Sequence, residues 1–388
     1  MKLLIVSPVP TDPPVAGNRA RVAALFAALV RLGHDVTFAY VPYETADLDK
    51  MGARLGHRLH VLRASPPPFQ SVTARLQRRL RRTIGLESVH LWKVDEWFDD
   101  GLEPQVQLLH SKESFDVVLL EYVFLSKLAT HLPECVRTII DTHDLMGDRH
   151  KLYLDAGMTP RWFATTRAEE VSALNRAKAV IAIQQEEADY LKRNVSAEVF
   201  CVGHLLRFDI SPLPDPGGAR ILFVGSANPI NVQGLEWFLD SVFPRIQREM
   251  PNSELAVAGP VGQGRNWPNG VLVLGNLDSL TDTYAHATIV INPVKFGTGL
   301  PVKTLEALSY GKPVVATPAG VRGLGLDFDA AVALGDKPDT FAEQVLKLLK
   351  DENARSAMAQ QAISAANDWQ HRQLAVLNNA IAGQKTRA

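Results

Sequence analysis

Short, uninterrupted apolar runs alternate with amphipathic stretches over roughly the first 200 residues of the chain. Apolar runs of this length are typical of strands that helices cover on both faces of a sheet. The amphipathic stretches, the first of them near residues 18–31, repeat apolar positions with helical spacing. The predicted strands are residues 2–7, 35–40, 115–120, 136–141 and 179–183. This alternation predicts a parallel α/β sheet.

A Pro- and Gly-rich segment, Ser-Pro-Leu-Pro-Asp-Pro-Gly-Gly, interrupts the alternation at residues 211–218. Because it can continue neither a helix nor a central strand, we place a domain boundary there. A second series follows, with strands predicted at residues 220–225, 254–258, 271–274, 288–293 and 313–317. The chain is therefore predicted to form two Rossmann-like, doubly wound parallel-sheet domains that face a cleft, residues 1–210 and 219–370, with a helical tail at 371–388.

Composition narrows the class of protein. A chain of 388 residues with 46% hydrophobic content can form two cores. Lys and Arg total 41 against 42 Asp and Glu, so no overall positive charge favours a nucleic-acid partner. Two cysteines, Cys135 and Cys201, fit a reducing compartment and exclude a cysteine zinc site. No apolar stretch approaches the roughly 18 residues of a membrane span, and the first apolar run is too short for a signal peptide. We expect a cytoplasmic protein, at most peripheral at the inner face of a membrane.

A glycine-containing loop between a predicted strand and a predicted helix is the strongest candidate for chemistry. Gly297 and Gly299 let the backbone approach a ligand closely, and Pro301 suits a first helical position. Free N–H groups at such a helix start favour a phosphate. Lys303 in the first turn would add a cation, and Glu306 one turn deeper could accept hydrogen bonds from ribose hydroxyls. The alternative is a solvated Lys and Glu on an ordinary helix.

Two segments resemble the family 4 glycosyltransferases of the group 1 type. One segment resembles the donor-binding signature of that family. It contains Gly297-Thr298-Gly299-Leu300, Lys303, Leu305-Glu306-Ala307-Leu308 and Gly311-Lys312-Pro313-Val314-Val315-Ala316-Thr317. The other segment resembles the start of that family's C-terminal domain. It contains Phe223-Val224-Gly225-Ser226 with Asn231, Trp237-Phe238 and Pro244. The resemblance implies the GT-B architecture, a nucleotide sugar as donor, and Glu306 on the donor ribose. The predicted donor-binding residues are Gly225, Ser226, Thr298, Gly299, Leu300, Lys303 and Glu306.

The chain departs from this family pattern at two places. Many members carry a Glu eight positions before Glu306, where this chain has Thr298. Many also carry an Arg and a Lys after the Phe-Val-Gly strand, whereas residues 226–233 contain neither. A leaving diphosphate gains charge in the transition state and needs a stabilising group. Lys303 is the first candidate, and the weaker ones are Arg19, Arg207 and Lys295.

The N-terminal half offers a second set of candidates. The loop after the first strand ends in Gly17, Asn18 and Arg19, which could bind phosphate or acceptor; a simple helix cap is the alternative. His143 and Asp144 follow a predicted strand and are the catalytic candidates, with Asp141 or Asp144 orienting the imidazole. A structural His that satisfies backbone groups is the alternative. Family members often carry a His that faces the cleft near this point. The three-glycine dinucleotide fingerprint is absent, which argues against a nicotinamide dehydrogenase.

Glu121 and Tyr122, after another predicted strand, could shape an acceptor pocket. The segment from Arg75 to Arg82 holds five arginines, with Leu76 and Leu80 on one helical face. It could contact anionic lipid or a lipid-diphosphate acceptor, or it could be an ordinary solvated helix.

Together these features predict transfer of a sugar from a nucleoside-diphosphate sugar to the hydroxyl of a sugar or lipid-linked acceptor, in polysaccharide or glycoconjugate biosynthesis. The donor is expected on the C-terminal domain and the acceptor on the N-terminal one. The resemblance implies retention of configuration, no metal and no cofactor. A sugar-nucleotide epimerase of the same fold and a non-catalytic nucleotide-sugar-binding subunit stay open as alternatives.

Overall fold

The computed structural model describes residues 1–14, 16–65, 90–160, 162–264, 266–277, 279–297 and 299–384. The chain divides into two compact units. The first unit contains residues 1–13, 21–203 and 374–388, and the second contains residues 14–20 and 204–373. Two predicted features, the arginine segment from Arg75 to Arg82 and the donor residue Thr298, lie outside the described residues. In the described ranges, no helix has the length and apolar character needed to cross a membrane.

The first unit contains a parallel seven-stranded sheet among its described residues, in the order β3-β2-β1-β4-β5-β6-β7. Its strands are β1 (Lys2–Ser7), β2 (Asp35–Tyr40), β3 (Leu59–Val61), β4 (Val117–Glu121), β5 (Arg137–Asp141), β6 (Ala179–Ala182) and β7 (Glu198–Cys201). The central strands consist of residues that are buried on both faces, which explains their uninterrupted apolar sequences. Glu121 pairs with Asp141 in register, so the polar ends of β4 and β5 lie side by side.

The second unit contains a parallel six-stranded sheet within the described residues, in the order β10-β9-β8-β11-β12-β13. Its strands are β8 (Arg220–Val224), β9 (Glu254–Ala258), β10 (Val271–Gly275), β11 (Ile289–Asn292), β12 (Val314–Ala316) and β13 (Val332–Leu334). Phe223, Phe238, Phe243 and Phe341 form part of its core. Trp237 is partly buried and packs edge-on against Phe341 of this core with ring centroids 5.5 Å apart.

Helices connect the strands, and we number those of the described residues in chain order. They are α1 (Gly17–Arg31), α2 (Leu48–Leu55), α3 (Leu102–Glu113), α4 (Arg149–Asp155), α5 (Arg167–Leu174), α6 (Gln185–Asn194), α7 (Pro229–Trp237), α8 (Phe243–Glu249), α9 (Thr281–Ala285), α10 (Val302–Ser309), α11 (Pro338–Lys350) and α12 (Glu352–Ala382). Residues 371–382 of the predicted tail form the end of α12, and this helix belongs to the first unit from Leu374 onward. There the Ala380 carbonyl accepts a hydrogen bond from Arg137 Nε at 2.7 Å.

The predicted two-sheet α/β class is confirmed, and each predicted strand is present with ends within two residues of the expected ones. The sequence reasoning missed β3, β7 and β13. All three lie at sheet edges and are only partly buried, so they lack the continuous apolar run that marks a central strand.

Candidate active site

The predicted donor loop joins β11 to helix α10 in the second unit. Gly299 has a φ of 69°, a left-handed conformation that favours glycine. The helix begins at Val302, so Pro301 is its N-cap rather than its first helical residue. Lys303 lies in the first turn and Glu306 one turn further along, the positions that the sequence indicated.

Lys303 is held beside the loop that follows β8. Its Nζ donates a hydrogen bond to Asn231 Oδ1 at 2.5 Å and lies 4.7 Å from the centroid of the Phe223 ring. The Asn231 amide in turn donates to the Ser226 carbonyl at 3.0 Å and to Ser226 Oγ at 3.1 Å. Because both ends of the Asn231 side chain are engaged, its orientation is fixed. The cation therefore lies at the loop where many family members carry their basic pair.

Burial brings the pKa values of Lys303 and Glu306 close together. Desolvation lowers the pKa of Lys303 to about 7, and the charge of Glu306 opposes this shift. Desolvation raises the pKa of Glu306 to about 7, and Lys303 opposes that shift. In the described part of the chain no group donates a hydrogen bond to the Glu306 carboxylate. A ligand that supplies an anion beside Lys303 and hydroxyl donors beside Glu306 would stabilise both charged forms.

The predicted phosphate loop lies against the start of α10. Residues 14–20 belong to the second unit, and a Cβ built on Gly17 would lie 3.6 Å from Val302 Cγ2. Helix α1 begins at Gly17, and Asn18 Oδ1 accepts a hydrogen bond from the backbone N–H of Arg19 at 3.0 Å. The structure thus places Gly17 next to the helix that carries Lys303.

The predicted donor residue Gly225 lies at the end of β8, where Gly259 after β9 permits a close backbone approach. A Cβ on Gly259, which has a φ of 94°, would lie 2.4 Å from the Gly225 carbonyl oxygen. Leu300, another of the predicted donor-binding residues, is buried, with 8% of its surface exposed.

Two other predicted cations make structural contacts. Lys295 Nζ lies 3.5 Å from the centroid of the Trp237 ring and donates to the Asp336 carbonyl at 2.6 Å. The Arg207 guanidinium lies 4.1 Å from the centroid of the Tyr310 ring and donates to backbone carbonyls of Ser211 and Ser309. Lys303 therefore stays the first candidate for stabilising a diphosphate.

A second group of side chains lies at the carboxyl ends of β4 and β5 in the first unit. His143 Nε2 is 2.5 Å from Glu121 Oε2, and both side chains are buried. The Tyr122 ring stacks on the imidazole with centroids 4.0 Å apart and planes 6° from parallel. The structure therefore pairs the imidazole with Glu121 rather than with Asp141 or Asp144. Tyr122 and His143 have φ values of 74° and 60°, a conformation that is rare outside glycine and concentrates at functional sites.

Arg21 neutralises the neighbouring Asp141. Its Nε and Nη2 donate to the two carboxylate oxygens at 2.8 and 2.9 Å, and its remaining N–H groups reach the carbonyls of Val202 and Gly203. The guanidinium lowers the pKa of Asp141 against the opposing effect of burial. Ligand atoms of Glu121, Asp141 and His143 lie within 4.8 Å of one another, a spacing that a metal ion could bridge. Arg21 already occupies both Asp141 oxygens, so the guanidinium supplies the positive charge there. Sequence reasoning did not identify Arg21, since it lies in the middle of an amphipathic helix.

Comparisons with known proteins identify the family. A model described as "Glycosyl transferase 4-like domain" matches residues 16–202, and one described as "Glycosyl transferases group 1" matches residues 218–351. The chain belongs to the group 1 glycosyltransferases of the 4-like type. A curated relative, an uncharacterised 44.6 kDa protein in the cps region of Klebsiella pneumoniae, is 28% identical over 163 residues. That match spans 39% of this chain and 42% of the relative, less than half its length.

Solved structures share the architecture of this glycosyltransferase over nearly the whole chain. Sucrose-phosphate synthase from Thermosynechococcus elongatus superposes with a TM-score of 0.67 at 14% identity, covering 98% of each chain. HepE from Anabaena, in complex with UDP and glucose, superposes with a TM-score of 0.65 at 13% identity, covering 99% of this chain and 98% of HepE. The GT-B fold is therefore confirmed.

Two buried carboxyl groups fasten the loop that follows His143. Glu170 accepts hydrogen bonds from the backbone N–H groups of Met146 and Gly147 at 2.6 and 2.9 Å. Glu187 accepts one from Gln184 Nε2 at 3.0 Å and one from the backbone N–H of Leu145. Burial, reinforced by the charge of Asp144, raises their pKa values to about 7 for Glu170 and about 8 for Glu187. This glycosyltransferase therefore binds protons here that an unfolded chain releases above about pH 4.3.

Replacing Glu187 with glutamine is expected to stabilise the first unit at alkaline pH. A pKa raised in the folded state gives stability that is full near pH 4 and declines as the pH rises towards 8. The amide carries no charge at any pH, so the variant should melt about 2–4 °C above the wild type at pH 8.5, with no gain at pH 5. Differential scanning calorimetry at both pH values measures this, with exposed Glu186→Gln as control. An equal gain at both pH values would contradict the raised pKa.

Proposed function

We propose that this glycosyltransferase moves a sugar from a nucleoside-diphosphate sugar to an acceptor hydroxyl, without a metal ion. The observation that carries the proposal is the arrangement of Lys303 against Asn231 and Ser226, with Glu306 one turn further along the same helix. A nucleoside diphosphate matches both groups, since it brings anionic oxygens and ribose hydroxyls in one molecule. Lys303 and the N–H groups at the start of α10 would bind the diphosphate. Glu306 would accept hydrogen bonds from the ribose.

The same groups suit the chemistry of transfer. As the bond from the anomeric carbon to the diphosphate breaks, negative charge accumulates on the leaving oxygens. The Lys303 Nζ is fixed by Asn231, so little reorganisation is needed as that charge develops. A nearby diphosphate also favours the ammonium form over the amine that burial favours. One positioned lysine can thus serve where many family members use an Arg and a Lys.

The acceptor is proposed to bind the first unit, where His143 and Asp144 follow β5. The acceptor class, a sugar or a lipid-linked sugar, and the retention of configuration are carried over from the family. The curated relative is encoded in a cps region, and another solved structure of the fold, WaaG, is a glycosyltransferase involved in lipopolysaccharide biosynthesis. These relatives support a role in polysaccharide or glycoconjugate assembly.

Replacing Glu306 with alanine is expected to weaken donor binding by about tenfold or more, equivalent to about 1.4 kcal/mol, because the ribose hydroxyls lose their acceptor. Isothermal titration calorimetry with UDP-, GDP- and dTDP-sugars in EDTA measures this and identifies the base. Exposed Glu343→Ala, on helix α11 of the same unit, is the control and should bind as the wild type does. If no nucleotide sugar binds the wild type, the proposal fails.

A non-catalytic nucleotide-sugar-binding subunit is the second candidate. It is favoured by the Thr at position 298 and by the lack of a basic residue at 226–233. Under this alternative the donor binds in calorimetry, yet neither hydrolysis nor transfer to added acceptors is detected by release of nucleoside diphosphate. An epimerase would instead convert the bound nucleotide sugar to its isomer with no acceptor present.

A further inference from the structure

The imidazole of His143 has one nitrogen engaged and one available. Nε2 contacts Glu121 Oε2, and among the described residues no group forms a hydrogen bond with Nδ1. Stacking on Tyr122 and the left-handed backbone at position 143 hold the ring in this orientation. The ring can therefore form a hydrogen bond with a ligand only through Nδ1.

The charges around the ring limit its protonation state. The groups that face it are Glu121, Asp141 and Arg21, and the last two form a buried ion pair that cancels. The charges of Glu121 and His143 must then balance each other. Losing one proton from this pair would leave a net negative charge in a buried site, which is costly. Burial and the charge of Asp141 also raise the pKa of Glu121, in the direction that retains the proton.

Two neutral arrangements of the pair keep the contact between Glu121 Oε2 and His143 Nε2 and place a hydrogen on Nδ1. If Glu121 is ionised, the imidazolium of His143 carries hydrogens on both nitrogens. If Glu121 is protonated, its hydroxyl donates to Nε2, and the single ring hydrogen lies on Nδ1. In a third neutral arrangement the Glu121 proton lies on Oε1 and the ring hydrogen on Nε2, which makes Nδ1 an acceptor. Glu121 Oε1 is buried and has no hydrogen-bond partner among the described residues, so its O–H would be left unpaired. Apart from this costly arrangement, Nδ1 becomes an acceptor only if the pair loses a proton.

We propose that Glu121 is a positioning residue that keeps His143 Nδ1–H as a hydrogen-bond donor to an oxygen of the substrate, so that His143 is not a general base. The identity of the substrate rests on the function proposed above. Two oxygen classes could accept this hydrogen bond, a hydroxyl of a sugar or an oxygen of the diphosphate. In this arrangement the imidazole does not take up the proton that the acceptor hydroxyl loses during sugar transfer.

The position of the proton can be measured without any substrate. Protein labelled with ¹⁵N-histidine, with the His143 signals assigned by comparison with His143→Asn, should show a protonated Nδ1 at pH 7.5. In Glu121→Gln the amide can donate to Nε2 or accept from it, so the two neutral tautomers should mix and the nitrogen shifts should become averaged. An unprotonated Nδ1 in the wild type at pH 7.5 overturns the proposal.

Ligand additions to the same sample distinguish the two oxygen classes. A change in the Nδ1 signal with UDP, GDP or dTDP alone identifies a diphosphate oxygen as the acceptor. A change that requires the complete nucleotide sugar or an added acceptor sugar identifies a hydroxyl. If a donor binds in calorimetry and no addition changes the signal, the proposed hydrogen bond does not exist.

Activity gives an independent test, because asparagine can place an amide N–H near the position of Nδ1 but cannot act as a base. In a Glu121→Gln background, which leaves no buried charge unpaired, His143→Asn should retain activity within about tenfold of the background. His143→Ala, which removes this hydrogen-bond donor, should lose about 100-fold. Asparagine tolerates the left-handed backbone at this position, and circular dichroism checks the folding of each variant. Equal losses for Asn and Ala would contradict the donor role, whereas a failure of donor binding in calorimetry would instead point to the proposed function.

Discussion

Replacing Lys303 with methionine is expected to lower the rate of sugar transfer by about 10²–10³-fold, the usual loss when one group that stabilises transition-state charge is removed. Methionine fills a similar volume without the ammonium, so contact with the Phe223 ring can persist while the charge is lost. Asn231 loses its partner but keeps its bonds to Ser226. The turnover number, measured by release of nucleoside diphosphate at saturating donor, gives the effect directly.

Two further variants sharpen the interpretation of this loss. Lys347→Met, at an exposed position of α11 in the same unit, should leave the rate unchanged. Asn231→Ala keeps the charge but removes the group that orients it, so we expect a smaller loss of about tenfold. If Lys303→Met transfers sugar at the rate of the wild type, the diphosphate is stabilised by another group.

The lowered pKa of Lys303 adds a pH signature to the same assignment. With a pKa of about 7, the amine is mostly unprotonated at pH 8, and a bound diphosphate would raise that pKa. Nucleoside diphosphate binding should therefore take up a proton at pH 8, and affinity should fall as the pH rises above 7. Calorimetry in two buffers of different ionisation enthalpy measures the uptake. Glu306 also titrates near pH 7, so the measurement is made in a Glu306→Gln background, where only Lys303 of this pair can take up the proton. Adding Lys303→Met should abolish the uptake.

Local sequence patterns predicted the central strands and the placement of Lys303 and Glu306 on one helix, since each depends on residues close in sequence. They did not predict the groups that fix those side chains. Asn231 is 72 positions from Lys303, Glu121 is 22 from His143, and Arg21 is 120 from Asp141. Such pairs arise only when the parallel sheet brings together the ends of distant strands and the helices that follow them.

The backbone conformation at the ends of β4 and β5 was also beyond the sequence. Tyr122 and His143 adopt positive φ values, which are uncommon outside glycine and most unusual for a bulky side chain such as that of Tyr122. The stacked rings and the hydrogen bond to Glu121 hold this arrangement in place. Local rules fail here because tertiary contacts determine the backbone, a pattern expected at functional sites.

Replacing Arg21 with leucine is expected to destabilise the first unit by about 3–5 kcal/mol, because it leaves Asp141 buried and unpaired. The carbonyls of Val202 and Gly203 lose their donors as well. Backbone amides of β5 should then exchange about 10²–10⁴-fold faster in hydrogen-exchange mass spectrometry, provided that they exchange through unfolding of this unit. Arg193→Leu, at an exposed position of α6, should exchange as the wild type does.

The loss of stability in Arg21→Leu should depend on pH, and the direction of this dependence can be predicted. In the wild type Arg21 depresses the pKa of Asp141, so this pair gives stability that is present above about pH 4 and lost as the pH falls through the folded-state pKa. Without Arg21 the buried carboxyl is stabilised by protonation, so the deficit of the variant should be larger at pH 7.5 than at pH 5. Adding Asp141→Asn removes the charge and should recover part of the stability at pH 7.5. Recovery must be partial, since the two backbone carbonyls still lack their donor; full recovery would show that Arg21 stabilises the fold only by neutralising Asp141.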